Sequence, residues 1–336
     1  MATPKKSIKV KQPPVMFNQT QKLIQEVQSK TNAKVICYWM SSRGSICNDD
    51  VNVLHELLEI VGPQENVFMF IKSNGGNVQA ALRIVHLLRH YSKNLTALIP
   101  LEAASSATLI SLGADNIHMG PLAYLTAIDS SLTHDLSPLD RDNRRVSVSQ
   151  DELMRIRRLW NESALEHHGN PYTDMFKYIH PLVIGALDRS SSLSIKICQE
   201  ILSYHITDKE KAEKLSKHLN YDYPSHSYPI TYKEADRLGL KVSQLDAELN
   251  SLLFDLNHIY SEMAQPALTD FDETNYHDNE ILNIIESDSI QFHYQNDKDW
   301  NYIKEERRWQ SLNNESCWRK VELVGGKEKI DKFHVA

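Results

Sequence analysis

The sequence predicts an α/β fold, a parallel sheet covered by helices. Three observations carry that expectation. Residues 33–40 (AKVICYWM), 67–71 and 95–99 are near-continuous apolar, β-branched runs of strand length, as expected of strands buried on both faces. The stretch between the second and third runs places Val78, Ala81, Leu82, Val85 and Leu88 at helical spacing. The connections are short, so residues 33–119 read as β-α-β-α-β-α-β, a series of crossover units.

Taken in order, residues 17–29 form an amphipathic helix with Leu23, Ile24 and Val27 on its apolar stripe. A polar loop, 41–46, follows the first strand. Asn48 or Asp49 then caps a helix through Val51, Leu54, Leu57, Leu58 and Val61, which Gly62 and Pro63 stop. Asn77 opens the next helix, residues 103–112 a short one, and residues 116–119 a further strand. Beyond Pro121 the pattern changes. Residues 135–148 are a polar loop rich in arginine, and Ser149-x-x-Glu152 is a capping box that opens a helix to about Glu166. Residues 174–203 are helical with a break at His180-Pro181. Thr207-x-x-Glu210 and Thr231-x-x-Glu234 open two more helices, and residues 244–263 form a long amphipathic one. The division expected is a flexible arm over 1–16, a main domain over 17–265, and an acidic, Trp-containing accessory segment over 266–336 with short strands near 289–294.

Composition narrows the function class. At 336 residues, 41% hydrophobic and 24% charged, the chain can bury a full core. A net charge of -7 argues against non-specific nucleic-acid binding. No apolar run is long enough to span a membrane, and the N-terminal 15 residues lack the apolar stretch of a secretory signal. Cys37, Cys47, Cys198 and Cys317 are widely spaced, with no CxxC pair, which suits free thiols in a reducing cytoplasm.

Two stretches can carry chemistry. With only 11 glycines in the chain, the adjacent pair Gly75-Gly76, after a buried strand and before a helix, is informative. Glycine permits close backbone approach, and a helix start favours negative charge, so the turn suits an oxyanion hole as well as a plain reversal. Ser105 and Ser106 lie in a run of small residues at another helix start. Such a run serves either close packing or a serine nucleophile whose following N–H, here that of Ser106, helps to hold an oxyanion.

Together these motifs resemble the ClpP/crotonase superfamily, and within it the signal-peptide-peptidase-A-like serine peptidases, above all the serine dehydrogenase proteinase family. The residues that carry the resemblance are Ser73-Asn74-Gly75-Gly76 and Ala104-Ser105-Ser106-Ala107-Thr108, then Ala114 to Pro121 (ADNIHMGP), Ala127-Ile128-Asp129, and Ser225 to Val242. The resemblance spans roughly residues 20–265. It implies a ClpP/crotonase-like superhelical sheet, Ser105 as nucleophile, an oxyanion hole from Gly75, Gly76 and Ser106, a peptide or protein substrate, no cofactor, and a homo-oligomer built through helices like those after residue 149. The chain reads Ser105-Ser106-Ala107-Thr108 where the family usually has Ser-Ala-Gly-Thr. It has Ala127-Ile128-Asp129 where ClpP carries its histidine.

The base is therefore open. Signal-peptide peptidases use a lysine on a later helix, but Arg155, Arg157 and Arg158 stay protonated and cannot take a proton. Lys177, His180 and His226 are the candidates, with Lys72 beside the glycines, and Asp129 is a residue to orient a loop or a base. No metal is expected: the pairs His86/His90 and His167-His168 lack a completing carboxylate or thiolate. The function expected is peptide-bond hydrolysis through an acyl-enzyme on Ser105, with the C-terminal segment offering a regulatory contact. The rivals are a catalytically silent scaffold and a crotonase-like acyl-CoA enzyme using the same two N–H groups on a thioester.

Overall fold

A computed structural model describes residues 9–129, 131–141, 143–163 and 170–335. The first half runs α1 (Phe17–Thr31), β1 (Lys34–Met40), α2 (Asn48–Val61), β2 (Gln64–Lys72), α3 (Val78–Tyr91), β3 (Ser92–Ile99), β4 (Glu102–Ala103), α4 (Ser106–Leu112) and β5 (Asn116–Met119). Short strands β6 (Tyr124–Leu125), β7 (Ser131–Leu132) and β8 (Val148–Ser149) lead into α5 (Gln150–Ser163), α6 (Pro171–Met175), α7 (Pro181–Leu202), α8 (Lys209–Tyr221) and α9 (Tyr232–Arg237). Then come β9 (Val242–Gln244), α10 (Ala247–Met263), β10 (Thr269–Asp270), β11 (Asn275–Ser287), β12 (Ile290–Ile303), β13 (Arg308–Asn314), β14 (Cys317–Val324) and β15 (Lys327–Phe333).

Strands β1, β2, β3, β5 and β9 lie side by side and parallel. The apolar runs are near-continuous because both faces are covered. Along β1, Ile36, Tyr38 and Met40 point into a core shared with α2, α3, α4 and α7, while Val35, Cys37 and Trp39 point into one shared with α1 and α10. The fold class is the one expected, an α/β sheet flanked by helices.

The C-terminal strands extend this same sheet. β11 pairs antiparallel with β1, and β12, β14 and β15 follow outward. Where short strands were expected near 289–294, β11 and β12 are 13 and 14 residues long. Polar residues such as Asp278, Asn279 and Glu280 masked the pattern: they are buried on β11 and matched by partners far off in sequence.

Several helix starts also differ; α10 begins at Ala247 rather than 244, because residues 242–244 pair with β5 as a strand. The cap of α2 is Cys47, not Asn48 or Asp49, because the buried Asp50 carboxylate reaches back to the Cys47 N–H at 2.8 Å. The cap of α8 is Asp208, one residue after Thr207, and its Oδ1 accepts the N–H groups of Glu210 and Lys211. Helix α4 begins at Ser106 rather than Ala103, because residues 102–103 pair with β6 as a strand. The capping box at Ser149 forms as expected, with reciprocal bonds to Glu152 of 3.3 and 3.1 Å.

Candidate active site

Parallel strands β2 and β3 end side by side, and the two chemical motifs lie just beyond their C-terminal ends. An isolated bridge between Ser73 and Ala103 ties the two exits together, with the Ser73 carbonyl accepting the Ala104 N–H at 2.9 Å. Both glycines have backbones that suit only glycine, φ +99° at Gly75 and +152° at Gly76. Space forbids a side chain too. A Cβ on Gly75 would come within 2.6 Å of the Ser105 Cβ, and one on Gly76 within 2.4 Å of the Ile46 carbonyl oxygen.

Ser105 is half-buried and caps α4, with φ +54° and ψ -119°. A non-glycine residue in that region is strained by about 1–3 kcal/mol and persists only where its surroundings hold it. Thr126 does the holding: its Oγ1 accepts the Ser105 N–H at 2.8 Å. Thr126 is fixed in turn, because its N–H donates to Thr108 Oγ1, which donates to the Ala103 carbonyl at 2.8 Å. The geometry is that of a sharp strand-to-helix turn that presents a serine hydroxyl. Ser105 Oγ itself makes no hydrogen bond among the described residues.

Three N–H groups surround this turn. That of Gly75 already donates to Ser73 Oγ at 3.0 Å. Those of Gly76 and Ser106 have no acceptor among the described residues. Ser106 Oγ donates to the Gly76 carbonyl at 2.7 Å, so its hydroxyl binds the glycine turn to the start of α4.

The base candidates are placed very differently. Lys177 is exposed and paired with Asp174 at 2.6 Å, and His180 caps α7 by accepting the Leu182 N–H. Lys72 is tied to the Met40 carbonyl at 2.9 Å and to Glu102 at 3.1 Å. His226 and Asp129 come together: Nδ1 of the ring lies 2.6 Å from Asp129 Oδ1, with the carboxylate 8% exposed and the imidazole 48%. The hydrogen bond to Asp129 raises the His226 pKa above its ordinary value, against the opposing effect of burial. An antiparallel bridge between Leu125 and Ile230 sets this meeting, since Asp129 lies four residues beyond the bridge on one segment and His226 four before it on the other. His226 Nε2 has no partner among the described residues. Asp129 also follows Thr126 by three residues, so one segment both anchors Ser105 and carries the carboxylate.

Ser73 and Thr108 stand in the quoted motifs without a role, and Thr126 was missed altogether, because their roles depend on which strand ends are neighbours. The only local signal is a short hydroxyl residue just before Ala127-Ile128-Asp129. Of the metal candidates, His86 bonds to Tyr204 and His90 packs on the Tyr91 ring, while His167-His168 lies outside the described residues. No helix among the described residues is long and apolar enough to cross a membrane.

The sequence profile of the Clp protease family matches residues 18–204. An uncharacterized protein of Methanocaldococcus jannaschii is 26% identical over 267 residues, which cover 74% of this chain and 82% of that protein. Similar solved structures include a variant of the 1510-N membrane-bound stomatin-specific protease in complex with a substrate peptide. That match has 15% identity and a TM-score of 0.37, and covers 64% of this chain and 78% of the other. ClpP1 from Listeria monocytogenes matches at 16% identity with a TM-score of 0.33, covering 69% of this chain and all but 1% of the other, 99% being aligned.

Proposed function

The chain belongs to the Clp protease family, and from that premise we propose that it is a serine peptidase whose nucleophile is Ser105. The observation that carries the reading is the strained Ser105 backbone, held by Thr126 beside two N–H groups that have no acceptor among the described residues. Strain of this kind is costly without a use, and the use proposed here is to present the serine beside the glycine turn, where an attacked carbonyl could reach the two donors.

In this reading Ser105 Oγ attacks the carbonyl carbon of a peptide bond and gives its proton to His226 Nε2. Asp129, at Nδ1, fixes the ring tautomer and stabilises the imidazolium. The carbonyl oxygen, now an anion, receives the N–H groups of Gly76 and Ser106; removing one such donor typically costs ~10²–10³ in rate. The C–N bond breaks as His226 returns the proton to the leaving amine, which leaves an acyl ester on Ser105. Water, deprotonated by His226, then attacks the ester; the bond to Ser105 Oγ breaks as His226 returns the proton to that oxygen, which frees the carboxylic acid. The Gly75 N–H, occupied by Ser73, supports the turn instead of holding the oxyanion. Lys177 and His180, which have other partners, take no part. We also propose a homo-oligomer, in keeping with the apolar side chains exposed on α5–α7.

Activity-based labelling tests the nucleophile. A fluorophosphonate probe is expected to label the wild-type chain and not Ser105→Ala; persistent labelling of the variant would sink the assignment. One observation favours the scaffold reading: Ser105 Oγ and His226 are not bonded to each other. Catalytic hydrogen bonds often tighten to ~3 Å only when substrate binds. A wild-type chain that neither labels nor cleaves peptides would support the scaffold.

A further inference from the structure

The C-terminal strands bear on the glycine turn through a chain of contacts that begins at Arg43. Its guanidinium meets two neighbouring carboxylates of β11: Nη2 lies 3.1 Å from Asp278 Oδ2, and Nη1 bonds to Glu280. Both carboxylates are almost wholly buried, 4% and 3% exposed, while the arginine is 52% exposed. Two buried like charges on one sheet face are unfavourable unless a cation answers them. Asn296 supplies a neutral bond to Asp278 Oδ2 at 2.8 Å, and Asp278 Oδ1 is buried with no partner among the described residues. Arg43 is thus the cation that β11 requires, and it lies on loop 41–46.

The same loop is gripped at two more points. Ser41 donates its N–H to the Leu282 carbonyl at 2.8 Å, and Asn283 Nδ2 donates to the Ser45 carbonyl at 3.2 Å. A bulge in β11 between Ile281 and Asn283 aims these groups at the loop. Gly44 lies so close that a Cβ there would be 2.6 Å from Asn283 Oδ1 and from the Leu282 carbonyl. The far end of the loop lies flush on the oxyanion turn. Ile46 donates to the Gly75 carbonyl at 2.9 Å and accepts from the Asn77 N–H at 2.8 Å. These two bonds bracket Gly76 and set the direction of its free N–H.

We propose that Arg43, clamped by Asp278 and Glu280, is a positioning residue for the oxyanion hole, so that the C-terminal sheet extension controls the aim of the Gly76 N–H through loop 41–46. The inference rests on the Ser105 peptidase reading for its catalytic consequence, and on the contacts alone for its structural one. A displaced donor loses its effect steeply, since transition-state stabilisation depends on sub-ångström placement. Arg43 touches no reacting atom. Its influence falls on the acylation step and leaves substrate affinity alone.

The test uses the full chain with Arg43→Ala, Arg43→Lys and the isosteric double variant Asp278→Asn/Glu280→Gln, which keeps the side-chain shape where Arg43→Ala fails to fold. Two readouts are taken. The first is the rate of fluorophosphonate labelling, resolved into affinity and maximal rate. The second is hydrogen exchange at the Ile46 and Asn77 amides, with α10 as control. The expected result is a fall of about tenfold in maximal rate at unchanged affinity for Arg43→Ala and for the double variant. Exchange quickens at Ile46 and Asn77 but not in α10, and Arg43→Lys restores part of both. Wild-type rate and unchanged exchange in folded Arg43→Ala or the double variant would overturn the proposal. If the wild-type chain does not label but the variants still loosen those two amides, the peptidase reading fails and the clamp stands.

Discussion

At the scale of single residues, the candidate site depends on backbone geometry that only a few side chains allow. Gly75 and Gly76 hold positive φ and lie against Ser105 and Ile46, while Ser105 holds a positive φ that costs energy. The His226–Asp129 pair makes a pH prediction. Asp129 raises the His226 pKa above 6.5, and a general base must be neutral, so the labelling rate is expected to climb with pH through a value above 6.5. Asp129→Asn removes the carboxylate, which should shift that limb to lower pH and lower its plateau. A pH profile of the labelling rate checks both, and an unmoved limb would exclude His226 as the base. Linkage has the matching sign: a raised histidine pKa contributes stability that is fully present below about 6.5 and lost as pH rises through the folded value. With the imidazole half exposed, that contribution is small.

At the scale of elements, β11 joins the parallel sheet to helices α1 and α10. Its Glu286 is fully buried between α1 and α10, where Gln21 and Gln291 amides and the Tyr260 hydroxyl donate to it. Thr20 Oγ1 lies 2.5 Å away, yet its one proton also suits the Phe17 carbonyl at 2.9 Å, an arrangement that a protonated carboxyl completes by donating to Thr20. Burial lifts this carboxyl to about 7. A carboxyl raised on folding binds its proton more tightly in the native state, so its contribution is fully present below the unfolded value near 4.5 and lost as pH rises through about 7. Wild-type melting temperature should therefore fall relative to Glu286→Gln by several degrees between pH 5 and pH 8. Parallel melting curves for the two chains would reveal an unchanging gap if the carboxyl were ionised throughout.

At the scale of the whole molecule, the helices beyond β8 leave large apolar side chains in water. Met154, Ile156, Phe176, Tyr178 and Leu182 are 43–80% exposed across α5, α7 and the residues around α6. We propose that they are buried against another copy of the chain. The chain is expected to run as an oligomer in native mass spectrometry, with Tyr178→Glu/Leu182→Glu shifting it toward the monomer. A wild-type chain that is monomeric at micromolar concentration would count against the homo-oligomer. Labelling of the monomeric variant would show whether assembly is needed to bring His226 to Ser105.

Much of this protein was legible along the chain. Apolar runs in strands covered on both faces, helical spacing between them, and the rarity of adjacent glycines led to the sheet, to Gly75-Gly76 and to Ser105-Ser106, because each pattern is a local response to burial or to backbone geometry. Tertiary structure alone decided the rest. Asp129 and His226 are 97 residues apart and meet through one antiparallel bridge. Arg43 finds Asp278 and Glu280 more than 230 positions away, across the pairing of β11 with β1. Buried polar groups find their partners through space, so a sequence pattern built on apolar periodicity reads a strand such as β11 as a solvated, acidic tail.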